Sequence, residues 1–179
     1  MPEHVKQKLA EIQAHLRSDM PGARWVAPEA VHLTLKFLGR ISPTTVAGIT
    51  RAMEETATGT TPFLLRVRGL GVFPNPKRVQ VVWAGVTGDL RVLGELQKRL
   101  DADLGKSGFV PETRVFTAHL TLARIRDDAS PAERDAVGKR VQKTEFEGSE
   151  FAVDSISLMR SDLRREGPLY TRMVGVPFG

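Results

Sequence analysis

The 179 residues are 41% hydrophobic and 26% charged, ordinary for a globular chain forming one sizeable domain or two small lobes sharing a core. The 26 Lys and Arg against 21 Asp and Glu leave a net charge of +5, which favours a polyanion as partner over a cation or a basic protein. With no cysteine, disulfides, thiolate zinc sites, iron–sulfur clusters and cysteine nucleophiles are excluded. No apolar run approaches the roughly 18 residues of a bilayer span. The charged N-terminus lacks a signal-peptide core, so a soluble cytoplasmic monomer is expected.

In chain order, "PEHVKQKLAEIQAHL" puts Val5, Leu9, Ile12 and Leu16 at helical intervals and predicts an amphipathic helix. His4 and His15 fall on its polar side, with no partner to be read. In "RWVAPEAVHLTLKFLG", Val31, Leu33 and Leu35 alternate with His32, Thr34 and Lys36, which predicts a strand with Phe37 on the core side. "ISPTTVAGITRAMEETA" opens a helix with Ser42 as N-cap and Pro43 at its first position. "TPFLLRVRGLGVF" and "RVQVVWAGV" predict two strands around the turn "PNPK", with Trp83 in the core. "GDLRVLGELQKRLDADLG" aligns Leu93, Leu96, Leu100 and Leu104 on a helix that Asp89 can cap. A strand over "RVFTAHLTLARI" follows. Then comes a helix whose Ser130, Pro131 and Glu133 have capping-box spacing. "EFAVDSISLMRSDL" and "LYTRMVGVPF" supply the last strands.

The second half therefore reads strand, helix, HLTL strand, helix, strand, and the first half repeats it without the opening strand. The two HLTL words lie 119 − 32 = 87 residues apart, too long a period for a solenoid. The expected architecture is α+β, with two pseudo-symmetric lobes, each an antiparallel sheet with helices on its outer face, around a central cleft. The duplicated units run over roughly 1–77 and 78–160, followed by a C-terminal strand at 168–178. The strand missing from the first copy is expected just before Met1.

Residues i and i+2 of a strand share a face. His32 and Thr34 thus point one way and Leu33 and Leu35 the other, as do His119 and Thr121 against Leu120 and Leu122. Facing lobes would bring two imidazoles and two hydroxyls into one cleft. Imidazole titrates near neutrality, so one ring can take a proton from an attacking oxygen while the other protonates a leaving oxygen. Hydroxyls can donate to non-bridging oxygens on which charge builds. That set serves in-line displacement at phosphorus, with neither metal nor covalent nucleophile. Two histidines without a carboxylate at ligand spacing leave a zinc site incomplete, and no G-x-S-x-G elbow is present.

With this duplicated motif, the chain resembles the two-histidine (2H) phosphoesterase superfamily, and within it the RNA 2′,3′-cyclic phosphodiesterases, also called LigT-like 2′-5′ RNA ligases. The resemblance spans essentially the whole chain. It rests on "RWVAPEAVHLTLKFLG", "GLGVFPNPKRVQVVWAGV", "FTAHLTLARIR" and "ISLMRSDLRREGPLYT", in that order. It implies a bilobal fold and metal-independent, cofactor-free opening of a 2′,3′-cyclic phosphate to a 2′-phosphomonoester. By this resemblance His32 protonates the departing 3′ oxygen and His119 activates water, with Thr34 and Thr121 completing the motifs. Arg124 matches an arginine that follows the second motif and would contact phosphate. Two departures are an absent N-terminal apolar strand and Ala118, which stands where a proline commonly precedes the second histidine.

The loop "FPNPKR" and the segment "RSDLRREG" offer further RNA contacts: Phe73, Lys77 and Arg78, and Arg160, Arg164 and Arg165. The expected partner is RNA ending in a 2′,3′-cyclic phosphate, or a 2′,3′-cyclic nucleotide, with no membrane and no obligatory protein partner. The alternatives are 2′-5′ ligation of RNA at the same site, or a non-catalytic module that binds single-stranded RNA.

Overall fold

The structure, a computed structural model, describes residues 1–164 and 167–179, with the backbone alone for 163, 164, 167 and 168. It is an α+β chain that gathers into two compact units. Residues 1–33, 65–88 and 118–151 make the first unit, and 34–64, 89–117 and 152–179 the second. The units are interleaved along the chain, because strands from both halves pair in one sheet.

That sheet is the frame of the first unit. Its five strands are β1 (Ala23–Trp25), β2 (Phe63–Phe73), β3 (Val81–Gly88), β4 (His119–Ile125) and β5 (Glu147–Val153), in the order β1-β4-β3-β2-β5. The pairs β1–β4, β4–β3 and β3–β2 are antiparallel. Helix α1 (Glu3–Arg17) buries the apolar stripe expected of it, with Val5, Leu9 and Leu16 fully enclosed. Its Gln13, also buried, donates through Nε2 to Val26 O at 2.7 Å and Leu122 O at 3.0 Å. The helix therefore lies against the sheet face built by Leu120 and Leu122, both 0% exposed. His4 meets Glu150 O at 2.9 Å and His15 meets the Arg140 guanidinium at 3.0 Å, so the helix's two histidines have structural partners.

Helix α4 (Pro131–Lys143) starts with the anticipated capping box: Ser130 Oγ accepts from Glu133 N, and the Glu133 carboxylate accepts from Ser130 N at 2.7 Å. A Cβ on Gly138 would lie 2.0 Å from Pro76 O, so this glycine lets α4 pack directly on the turn after β2. Arg134 ties the same turn down by donating to Val79 O at 2.7 Å.

The second unit combines α2 (Val46–Ala57) and α3 (Leu90–Lys106) with an antiparallel hairpin of β6 (Ser155–Arg164) and β7 (Gly167–Pro177). Leu93, Leu96, Leu100 and Leu104 are all buried, as their spacing requires. Ser42 caps a short 3-10 turn, Pro43–Thr45, that leads into α2. Asp89 precedes α3 but accepts from Leu64 N at 3.0 Å instead of capping the helix. Among the described residues no helix is long and apolar enough to cross a membrane.

Three local expectations change. The segment "EFAVDSISLMRSDL" forms two strands broken at Asp154, the first in the five-stranded sheet and the second in the hairpin. The first HLTL word is not a strand; it makes one isolated antiparallel bridge, Leu33 to Leu120. Strand parity consequently ends at that bridge. Phe37, expected in the core, is 84% exposed. Lys36 is instead nearly buried, its ammonium paired with Asp101 and donating to Val110 O at 2.7 Å.

Candidate active site

His119 opens β4, paired with Gly85 of β3, and Thr121 pairs with Trp83. These positions and their neighbours form the sheet face opposite α1, where both side chains are half-buried. Phe73 and Trp83 back the imidazole. The Phe73 ring meets His119 edge to face at 5.0 Å, and the indole lies 5.2 Å from Phe73 and 6.2 Å from His119. A Cβ on Gly71 would fall 2.1 Å from the Trp83 ring, so the absence of a side chain there lets the indole lie on β2. Trp83, expected in the core, is half-buried in this wall. Phe73 packs as part of the same wall.

The Leu33–Leu120 bridge brings the first motif to the second. These leucines are themselves 120 − 33 = 87 residues apart, so each motif pairs with its own copy at the equivalent residue, as a local twofold demands. His32 and His119 are each the residue that precedes a leucine of that bridge. The short 3-10 turn Pro28–Ala30 precedes His32 and turns its carbonyl to the ring, with Nδ1 2.8 Å from Ala30 O. A carbonyl can only accept, so Nδ1 carries hydrogen.

Arg124 stands an odd number of residues from His119, which in a regular strand would put it on the opposite face. A bulge reverses this. Val82 pairs with Ala123 and Trp83 with Thr121, leaving Leu122 as the extra residue of β4. Leu122 and Ala123 are consequently both buried, and Arg124 emerges exposed on the His119 side. The bulge carbonyl is well satisfied: Leu122 O accepts from Val26 N at 2.9 Å and from Gln13 Nε2. Gln13 was missed in the sequence, although its place four residues after Leu9 puts it on the buried stripe of α1.

The remaining candidates divide between the units. Lys77 and Arg78 are exposed on the turn after β2, where both backbone N–H groups donate to Asn75 Oδ1 at 3.1 Å. Thr34 is exposed and belongs to the second unit. So does Arg160, whose guanidinium is engaged by Asp162 at 3.0 Å. Arg164 ends β6, and Arg165 lies outside the described residues. Among the described residues no three His, Asp or Glu side chains form a group that could hold a metal ion.

Residues 1–83 and 88–170 match the family model of LigT like Phosphoesterase. The chain is 35% identical over 174 residues to an RNA 2′,3′-cyclic phosphodiesterase of Methanothermobacter thermautotrophicus, covering 97% of this chain and 92% of that one. It is 34% identical over 175 residues to a Thermus thermophilus protein of the same name, covering 96% and 83%. Among solved structures, the crystal structure of TT0787 from Thermus thermophilus is similar with a TM-score of 0.83 and 29% identity, over 99% of this chain and 93% of that one.

Proposed function

We infer, because the chain belongs to the LigT like phosphoesterase family, that this protein hydrolyses 2′,3′-cyclic phosphates at RNA ends or in nucleotides. The observation that carries the reading is the Leu33–Leu120 bridge, which joins the two motif copies at equivalent residues. In the proposed reaction water attacks phosphorus in line with the 3′ oxygen. His119 takes the proton from water as the new P–O bond forms. His32 gives a proton to the 3′ oxygen through Nε2 as the P–O3′ bond breaks, leaving a 2′-phosphomonoester and a 3′-hydroxyl.

Thr121 donates a hydrogen bond to a non-bridging oxygen, and Thr34, by its place in the motif, serves the second. Arg124 contributes a phosphate contact through its planar fork. Exposed Lys77 and Arg78 draw in the RNA backbone, and Arg160 and Arg164 are proposed for the same role. Each proton transfer contributes about 10²–10⁴-fold, and the sequence of steps requires no metal.

Phosphorus NMR of 2′,3′-cyclic AMP incubated with the protein in EDTA tests this. Conversion to 2′-AMP is expected, with His32→Ala and His119→Ala each slower by at least about 100-fold. Turnover that vanishes with the chelator, or that survives loss of either histidine, would reject the mechanism.

A further inference from the structure

Arg24 of β1 pairs directly with Arg124 of β4. Directly paired residues on adjacent strands share a face, so both guanidinium groups project from the His119 side, and both residues are exposed. Among the described residues neither has an ion-pair or hydrogen-bond partner. Two like charges about 5 Å apart at their Cβ atoms repel one another. An anion between them reverses the sign of that interaction. Arg126, the next outward-facing residue of this strand line, is engaged by Asp128 at 3.4 Å, so the unpartnered charge concentrates at the Arg24–Arg124 pair.

Position along the strand indicates which anion. Arg124 is five residues from His119, about 16 Å at 3.3 Å per residue before the bulge shortens it. An arginine side chain covers part of that distance, so Arg124 can serve the reacting phosphate, while Arg24, one strand further out at the sheet edge, is placed for the next anion along the chain. In an RNA that ends in a cyclic phosphate, every other phosphate lies on the 5′ side of the terminal nucleotide. We propose that Arg24, beside Arg124, is a specificity-determining residue that seats the phosphodiester 5′ of the terminal nucleotide and so favours RNA ends over cyclic mononucleotides. This rests on the phosphodiesterase reading above and names the substrate class for it.

The test compares kcat/KM for 2′,3′-cyclic AMP and for a short oligoribonucleotide ending in a 2′,3′-cyclic phosphate, in wild type, Arg24→Gln and Arg24→Lys. Arg24→Gln is expected to lower the oligonucleotide-to-mononucleotide ratio at least tenfold. It should also flatten the dependence of log(kcat/KM) for the oligonucleotide on log salt by about 0.7, the share of one phosphate contact to a single strand. Arg24→Lys, which keeps the charge, should recover most of the ratio. Thermal unfolding of Arg24→Gln should show no loss of stability, because a repulsion is removed. A ratio that holds within twofold, or equal losses on both substrates, would overturn the proposal while leaving the hydrolase reading intact. Wild-type protein that opens neither substrate would instead sink the reading on which the proposal rests.

Discussion

His32–Leu35 and His119–Leu122 share every letter, yet only the second is a strand. The difference lies in what surrounds them. β4 has β3 along one side, while on the other it has Leu33 at Leu120 and β1 from Ala123 onward, so its backbone groups find partners in both directions. The first word has a single bridge, and its ring is oriented by the local carbonyl of Ala30. Leu120 is accordingly sealed at 0% exposure and Leu33 is only half-buried. An identical tetrapeptide is thus an embedded strand in one place and a tethered segment in the other. A repeated motif need not repeat its secondary structure.

The comparison breaks first on the histidines, where the largest effects are expected. Beyond the losses of at least about 100-fold already given, the two variants should differ in their pH profiles. A base must be neutral to act, so its titration produces the fall in rate towards acid; an acid must be protonated, so its titration produces the fall towards alkali. Residual turnover of His119→Ala should therefore lose the acidic limb, and that of His32→Ala the alkaline limb. The opposite outcome would exchange the two roles. In the proposed mechanism the rings act as a unit, so the double variant should be hardly slower than either single one.

Leucines sharpen the same contrast through stability. Leu120→Ala empties a sealed site and should cost about 2–5 kcal/mol, whereas Leu33→Ala gives up only half-buried area, about 1–2 kcal/mol. Urea midpoints measure both, and equal losses would contradict the difference in burial. Next comes the bulge. Gln13→Leu leaves the carbonyls of Val26 and Leu122 short of a donor and should cost about 1–3 kcal/mol. If the bulge also relaxes, Arg124 turns toward the α1 face, and KM should rise more than kcat falls.

Most helices could be read from spacing alone, because the leucine stripe of α3 and the Ser-Pro starts of α2 and α4 act within a few residues. The two motifs were legible for a related reason: a scarce residue repeated in a fixed word needs no long-range information. What escaped was set by distant partners. The bulge that returns Arg124 to the His119 side exists because Trp83 pairs with Thr121 but Val82 with Ala123, a register no local pattern encodes. Phe37 was misread because alternation was carried past Leu33, where no ladder maintains it. Arg24 was passed over because its strand has three residues, too few for periodicity to register.

The smallest test follows the two words to the helices after them. Each is followed by Ser-Pro, but Ser130 forms a full capping box with Glu133, while Ser42 caps a 3-10 turn through Thr44 N at 3.3 Å. Ser130→Ala should cost about 1 kcal/mol and Ser42→Ala less, since only the former removes one half of a reciprocal pair. Hydrogen bonds from the Ser130 side chain and backbone, in that order, hold the Glu133 carboxyl below its usual range. A carboxyl depressed in the folded state stabilises above its unfolded pKa, and that contribution fades as pH falls through the folded value. Thermal midpoints of wild type and Glu133→Gln should therefore differ at neutral pH and converge in acid. A gap that stayed constant to low pH would mean that the box depends on the shape of the Glu133 side chain and not on its charge.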